Sequence, residues 1–484
     1  MKNVIRYLKT EYSATRQQQF ISILGHLSFL VLGILSLVYY KERMLHFDTA
    51  NYAFQLIFQE DFYTGHSRYV SYLPQLIPLA LVKAGASLQS VLMAYSFSFI
   101  LLYYLIFLAI VYLFRNPAGG LMLAMALSLT VRFKFYAPVG EVVIGIAFVV
   151  LVLGWLTSPI YQQTGNRLWK SLLAIVLSAL FLWIHPFPMI SLALCWLIWL
   201  VYSERWKKAY EYLLPMSWAM IWGLKLLIQG TGTSYENKRL NVLQESWTVI
   251  SNLPDYFIWD RFLWYLNAHY TLSLILFVGV LISLALKKRW TTLILSLGAW
   301  LGIAILVIVL HAYLSAKVYI MVDGYLAHLG LIMSLVFVLI LGQRRERWTL
   351  LVFLVLLTFS LDRIRGVHRF FADREFLLLN IIDGNSEPED PKLLAHMDAF
   401  DWERLWMPWA ISIETLMMSS LNDPEHPQTL YFQDYGQPLD YLLDDQRLFL
   451  SLQYEPEMFK SKDLPPQLFL PPGKYKKINL KDRY

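Results

Sequence analysis

The stretch from Lys41 to Tyr72 combines carboxylates, histidines and arginines with many aromatic residues, and it follows a long apolar run. Asp48 is its first candidate for chemistry. A carboxylate at the edge of an apolar environment can keep a raised pKa or bind a cation, and as a general base it can remove a proton from an acceptor hydroxyl. Its position before Thr49 equally suits capping of a helix N-terminus, and the two roles are compatible.

Three basic residues near aromatic side chains are candidate phosphate ligands. Arg68 lies beside Tyr69, and Arg132 and Lys134 belong to the sequence RFKFYAPVGE. A guanidinium can bind a phosphate through two parallel hydrogen bonds, although an exposed arginine is more often simply solvated. For Arg132 and Lys134, long side chains that reach toward water are the simpler alternative.

Glu141 opens the fourth apolar run, where a carboxylate is costly unless it is paired or close to water. It is either a second acid of a site or a favourable charge in the first turn of a helix. His185 breaks the chain in HPFP, and further polar residues surround another helix end: His311, Lys317, Tyr319, Asp323 and His328. Isolated histidines there are usually structural, but the convergence of several polar groups favours a wet cavity bounded by helix ends, with His185 as a candidate substrate-binding or phosphate-binding residue. Weaker candidates are Glu60, Asp61, Asp255, Asp260 and His269.

The element that must position Asp48 is an amphipathic helix. Ala50, Ala53, Phe54, Ile57 and Phe58 recur at helical spacing and form one apolar stripe, which predicts a short helix in the membrane interface. The segment 73–83 contains two prolines and is too short to span a membrane alone.

The chain is 57% hydrophobic and only 16% charged, which excludes an ordinary soluble protein. Backbone N–H and C=O groups inside a bilayer must hydrogen-bond to one another because lipid offers them no partners, so an all-α polytopic membrane protein is predicted. The net charge of +6 does not indicate nucleic acid, because the basic residues stand in small clusters beside apolar runs. The single cysteine, Cys195, excludes an intrachain disulfide, and no Gly-rich phosphate loop, HExxH pattern or internal repeat is visible.

We predict about eleven transmembrane helices, over 20–40, 88–114, 118–131, 139–157, 170–184, 188–202, 213–228, 271–286, 291–311, 326–342 and 348–361. With a cytoplasmic N-terminus, nearly all tight basic clusters fall on the inner side, as the positive-inside rule requires. The loops 41–87, 132–138, 185–188, 229–270 and 312–325 then lie outside. The long side chain of Lys225 is expected to extend out of its short span, so that its ammonium group reaches water.

Two regions are predicted: a transmembrane domain over 1–361, with the outer loop 41–87, and an extracytoplasmic C-terminal region over 362–484, where charge and proline become dense. Periodicity predicts a helix near Trp402 to Leu421, a strand over Thr429 to Gln433 and a helix near Leu439 to Leu450. This region either folds as a small α/β or irregular domain or caps the bundle.

This order of elements, together with the segment HFDTANYAFQLIFQEDFYTGHSRYVSYLPQLIPLALVKAG, resembles the GT-C glycosyltransferases. The resemblance implies transfer of a sugar from a polyprenyl-phosphate donor to a lipid, glycan or protein acceptor at the outer face of a bacterial inner membrane, with inversion. It makes Asp48 the base or a metal ligand and Glu141 a second acid. Arg68, Arg132, Lys134 or Lys317 would hold the phosphate. Asp48 is followed by Thr49 instead of a second acid, so any divalent cation and the acceptor class stay open.

Two other classes compete with a glycosyltransferase. A transporter or flippase of lipid-linked saccharides would place ionisable groups near mid-membrane, often in repeated halves, whereas most charges here lie at span ends. A non-catalytic assembly protein would use the C-terminal region to recruit partners. A polymerase or ligase of surface polysaccharide would share the predicted location and much of the chemistry.

Overall fold

The structure, a computed structural model, is a helical bundle with short strands near the C-terminus. It describes residues 16–65, 68–163, 167–229, 244–313, 319–341, 347–385, 391–399, 405–433, 446–452 and 458–480. Lys317, one of the candidate phosphate ligands, lies outside these residues.

Most of the described residues are helical. In chain order the α-helices are α1 (Arg16–Val38), α2 (Tyr40–Met44), α3 (Phe47–Gln59), α4 (Leu76–Lys83), α5 (Leu88–Leu108), α6 (Pro117–Ala126), α7 (Glu141–Leu156), α8 (Pro159–Gln162), α9 (Arg167–Ala179), α10 (Phe187–Tyr202), α11 (Leu213–Gln229), α12 (Ser246–Ser251), α13 (Phe257–Ala268), α14 (Thr271–Leu286), α15 (Trp290–His311), α16 (Tyr319–Leu341), α17 (Arg347–Gly366), α18 (His368–Asp383) and α19 (Ile411–Asn422). Each apolar run of the sequence thus contains a helix.

Four helical segments among the described residues are long and apolar enough to cross a membrane: Gln18–Val38, Leu88–Leu113, Trp290–His311 and Val322–Ile340. A fifth crossing results if α13 and α14, which meet at 81°, form one broken span. Other apolar helices, such as α6 and α7, are shorter than a bilayer requires on their own. A mostly helical protein with four or five candidate membrane spans is therefore confirmed, whereas the predicted count of about eleven is not.

The connections of the bundle collect at two ends. At one end, Arg68 contacts Glu141 at 2.9 Å, and the ring of His185 contacts Tyr325 at 3.2 Å. At the other end, a cavity of about 380 Å³ is bordered by Asn116, Gln162, Glu204 and Arg289, among others. The described parts of the loops that the sequence assigned to the outer face meet at the first end, which we call the Asp48 end. Described residues of the connections around 116, 162, 204 and 289 meet at the second end.

The C-terminal region packs onto the Asp48 end. Its parallel sheet has the order β2 (Thr429–Gln433), β1 (Lys392–His396) and β5 (Tyr475–Ile478), and β3 (Leu448–Leu450) pairs with β4 (Met458–Lys460) in antiparallel fashion. The predicted strand over Thr429 to Gln433 is confirmed. The predicted helix near Leu439 to Leu450 is wrong at its end, which forms β3 because it pairs with β4; residues 439–445 lie outside the described residues.

α19 covers the amphipathic helix α3. The predicted helix at this position forms, but Asn51 and Gln55 on its polar side are 6% and 3% exposed. α19 packs directly against α3, and the residues of the apolar stripe from Ala50 to Ile57 are at most 1% exposed. The apolar stripe of α3 is therefore enclosed by protein of its own chain.

The prediction for Lys225 is wrong. Its side chain is 2% exposed, and its ammonium donates to the carbonyl oxygens of Leu182, at 3.0 Å, and of Phe181 and Ile184. The last carbonyls of a helix have no partner within the helix, so a cation at this position satisfies them and also interacts favourably with the helix dipole. Lys225 therefore fixes α11 to the short 3-10 helix, Leu180–Trp183, that follows α9.

We expect Lys225→Met to lower the free energy of unfolding in detergent by about 3 kcal/mol, because it leaves buried carbonyl groups without their charged donor. The matched control is Lys287→Met, since Lys287 is exposed. Titration with a denaturing detergent, followed by circular dichroism, measures both variants. Equal stability of the two variants would contradict this role of Lys225.

Candidate functional site

Asp48 lies in the first turn of α3, and its side chain is exposed. The residue at the N-cap is His46, so the predicted capping role of Asp48 is wrong. Phe47, immediately before it, has φ of +52°, a left-handed conformation that a bulky residue rarely adopts. Such a conformation costs about 1–3 kcal/mol and persists only where the surroundings enforce it. The start of α3 is therefore held from outside.

A buried ion pair of the C-terminal region holds the start of α3 in this conformation. The Phe47 N–H donates to Oε1 of Glu414 at 2.7 Å, and the Arg374 guanidinium donates to Oε2 of the same carboxylate. Arg374 also lies 4.5 Å from the centre of the Phe47 ring and donates to Nδ1 of His46 at 3.0 Å. Burial raises the pKa of Glu414, but Arg374 and His46 more than offset it, so the pKa ends below its usual value. Glu414 thus stays charged and caps α3 from another part of the chain.

The second predicted acid, Glu141, pairs with the predicted phosphate ligand Arg68. Nη1 of Arg68 donates to Oε2 of Glu141 at 2.9 Å, and both side chains are at most 10% exposed. The Tyr52 hydroxyl lies 3.5 Å from Oε1 of Glu141 and accepts the Gly65 N–H at 2.9 Å. Burial raises the pKa of Tyr52, and the Glu141 carboxylate raises it further. α3, the loop at Gly65 and the start of α7 therefore meet at this pair.

Lys134 carries a second positive charge next to these acids. Burial lowers the pKa of its ammonium, while the carboxylates of Asp48, and then of Glu141, oppose this effect. Nζ donates to the Val139 carbonyl at 3.2 Å. A Cβ atom at Gly140 would lie 2.4 Å from Nζ, so glycine is required for Lys134 to lie across the start of α7.

The loop that carries Arg132 and Lys134 is bound to α16 by a buried carboxylate. Oδ2 of Asp323, which is 0% exposed, accepts the backbone N–H of Arg132 at 2.9 Å and that of Lys134 at 2.8 Å. Oδ1 accepts the Tyr270 hydroxyl at 2.9 Å. Arg363 donates to the carbonyls of residues 128 and 129, just before this loop, at 2.6 and 2.9 Å. These bonds therefore fix the shape of the loop.

Arg132 and His185 lie to the sides of the cluster. Nη1 of Arg132 is 2.7 Å from Nε2 of His269, so its side chain is directed toward the end of α13. Nδ1 of His185 accepts the N–H of Phe187 at 3.1 Å, and Nε2 lies 3.2 Å from the Tyr325 hydroxyl. Burial lowers the pKa of His185 well below its usual value, and the nearby charge of Arg68 lowers it further. His185 therefore neighbours Arg68 as a neutral group.

Four of the predicted residues, Asp48, Glu141, Arg68 and Lys134, thus form one charged cluster. Asp48 is its exposed carboxylate, Glu141 is committed to Arg68, and Lys134 lies within electrostatic range of both acids. Among the described residues, no group of three or more histidine, cysteine or acidic side chains has the geometry of a metal site. Three cavities lined by described residues lie elsewhere in the protein. An exposed carboxylate near a lysine and an arginine–glutamate pair can act as a base next to an anionic group.

Sequence reasoning missed the residues that position the cluster. Arg374 and Glu414 lie in regions that were assigned to the C-terminal region, and Asp323 was noted only as one of several polar residues near a helix end. A signal was present for Glu414, because this acid stands in the apolar sequence ISIETLMM, where an unpaired charge would be costly. Its partners, however, are distant in the sequence.

We expect stability to depend on pH through His46. Burial lowers the pKa of its imidazole. The unfolded chain, with a histidine pKa of about 6.5, therefore binds a proton that the folded chain rejects, and stability is lost as pH falls below about 6.5. His46→Gln should reduce the slope of unfolding free energy against pH by up to about 1.4 kcal/mol per pH unit between pH 6.5 and 5.

The control is His426→Gln, because His426 is exposed. Unfolding free energies measured in detergent from pH 7.5 to 5 give the slopes. A His46→Gln protein with the same slope as the native chain would show that His46 is not buried as a neutral group.

Comparison of the chain with protein-family models, curated proteins and solved structures finds no match, so its function is argued from the geometry of this cluster.

Proposed function

We propose that the chain is a membrane glycosyltransferase of GT-C type that moves a sugar from a polyprenyl-phosphate donor to an acceptor hydroxyl at the outer face of the membrane. The proposal places it in a bacterial inner membrane, with about eleven spans, a cytoplasmic N-terminus and an extracytoplasmic C-terminus. A mostly helical chain whose connections collect at two ends supports this arrangement.

One observation carries the proposal: an exposed acid at the start of α3 lies within electrostatic range of a lysine, in the same cluster as a buried arginine–glutamate pair. Asp48 is within electrostatic range of Lys134, and Arg68 is held on Glu141 nearby. A lipid-linked donor keeps its tail in the bilayer and its phosphate at the surface, so its enzyme needs cations and a base at that depth. The strained conformation of Phe47 supports a functional role for this place, since strain of this kind concentrates at functional sites.

The proposed reaction divides the work between these side chains. Asp48 takes the proton of the acceptor hydroxyl while the oxygen of that hydroxyl bonds to the anomeric carbon of the sugar. The bond from that carbon to the phosphate oxygen breaks on the opposite side, and its electron pair leaves with the polyprenyl phosphate. Lys134 and Arg68 stabilise the charge that develops on this leaving group, as preorganised cations do most effectively in an environment of low dielectric constant. Attack from the opposite side inverts the anomeric centre.

We expect Asp48→Asn to lower the rate of sugar transfer by about 10²- to 10⁴-fold, the usual contribution of a general base. The matched control is Glu60→Gln at the opposite end of α3, where the carboxylate is also exposed. The assay uses protein in liposomes with a panel of polyprenyl-phosphate-linked radiolabelled hexoses and pentoses, and it measures sugar released from the carrier or joined to an acceptor. Full activity of Asp48→Asn would show that the base is another group.

The same liposomes separate the transferase from a transporter. If the native chain moves an intact lipid-linked saccharide between leaflets and breaks no bond to the sugar, the transferase proposal fails.

We expect Lys134→Met to lower kcat/KM for the donor by about 10²-fold, because one cation is removed from the developing phosphate charge. Gly140→Ala should lower it less, since the added methyl group displaces the ammonium without removing it. Lys83→Met is the control for loss of an exposed lysine at the end of α4. Steady-state kinetics with varied donor would contradict the assignment if Lys134→Met matched this control.

A further inference from the structure

A cavity of about 390 Å³ lies between the turn that joins α4 to α5 and the C-terminal region. Residues 85–89 form one wall, and the end of α19 together with the segment from Pro466 to Phe469 forms the other. Its volume lies within the range of small-molecule sites, about 300 to 1,000 Å³. The cavity is separate from the charged cluster around Asp48.

The lining is polar but uncharged. Among the described residues that border the cavity, none is acidic or basic, and the polar ones are Ser87, Gln89, Ser420 and Gln467. Ser420 is 7% exposed, and its hydroxyl has no hydrogen-bond partner among the described residues. Phe469 is 49% exposed and presents an aromatic surface at the same cavity.

This combination restricts the class of ligand. A charged ligand would lose hydration without gaining a counter-charge, which is costly. A hydrocarbon chain would cover the exposed Gln89 amide and the half-buried Gln467 amide without bonding to them. A neutral saccharide avoids both costs, because it offers hydroxyl groups to these two amides and an apolar face to the ring of Phe469.

We propose that this cavity binds a neutral saccharide, the acceptor glycan of the transfer reaction, so the inference rests on the proposed function. α19 connects the two places, since Glu414 caps the helix of Asp48 and Ser420 borders the cavity. These residues are six positions apart on one helix, a rise of about 9 Å. An acceptor anchored at the cavity would have to extend from it toward Asp48. The candidate span that begins at Leu88 starts at the cavity, so a free and a lipid-linked glycan can both reach it.

Binding of neutral tetrasaccharides of glucose, mannose and galactose to the full chain in nanodiscs tests the proposal. One arm supplies the free sugars, and a second arm supplies the same sugars on a lipid in the nanodisc; binding in either arm supports the site and identifies its source of glycan. Phe469→Ala should raise Kd about tenfold, as expected for the loss of one aromatic anchor, and Ser420→Ala should raise it less. Phe376→Ala is the matched control, because this phenylalanine is 68% exposed on α18.

Three results would overturn the saccharide site: no binding of any neutral tetrasaccharide in either arm, equal affinity of Phe469→Ala and Phe376→Ala, or equal binding of an anionic uronic-acid tetrasaccharide. Measurements in the Asp48→Asn background separate binding from turnover. Saccharide binding without any transfer by the native chain would leave the site in place and refute the acceptor role. Transfer by the native chain together with unchanged saccharide binding by Phe469→Ala would refute the site and leave the proposed transferase function in place.

Discussion

The position of Asp48 depends on the free energy of burying a charge. Arg374 and Glu414 have no exposed side-chain surface, and a buried charge costs several kcal/mol unless it is paired. Their pairing fixes α18 against α19, and the second carboxylate oxygen of Glu414 accepts the Phe47 N–H, which is 367 positions away in the chain. The conformation of the residue before Asp48 is thus set by the C-terminal region. Membrane bundle and C-terminal region are consequently one structural unit at this point.

The sequence predicted those parts of the fold that follow from local patterns. Apolar runs form helices because the polar backbone groups of a segment in an apolar environment must bond to one another, and the stripe from Ala50 to Phe58 forms α3. The strand over Thr429 to Gln433 was predicted from its periodicity, but its partners were not, because parallel pairing joins distant segments. The 81° bend between α13 and α14 and the inward position of Lys225 also result from tertiary contacts. Such contacts leave little trace in residue periodicity.

The candidate site shows the same division. Residue types and their places at span ends singled out Asp48, Glu141, Arg68 and Lys134 before their contacts were known. That Arg68 is bonded to Glu141 could not be predicted, since the two are 73 positions apart and each was given a separate role. Asp323 acts through the backbone of the loop at 132–134. A carboxylate that bonds to peptide groups has no recognisable partner in the sequence, so it was noted without a role.

The electrostatics of the cluster connect binding with base strength. In the proposed reaction, Glu141 offsets part of the charge of Arg68, so Lys134 supplies the larger share of the positive charge that the phosphate meets. An anionic phosphate bound next to Lys134 would add negative charge near Asp48, and a like charge raises the pKa of a carboxylate. In the proposed reaction, the phosphate of the donor would therefore make Asp48 a stronger base at the step in which the acceptor hydroxyl must lose its proton.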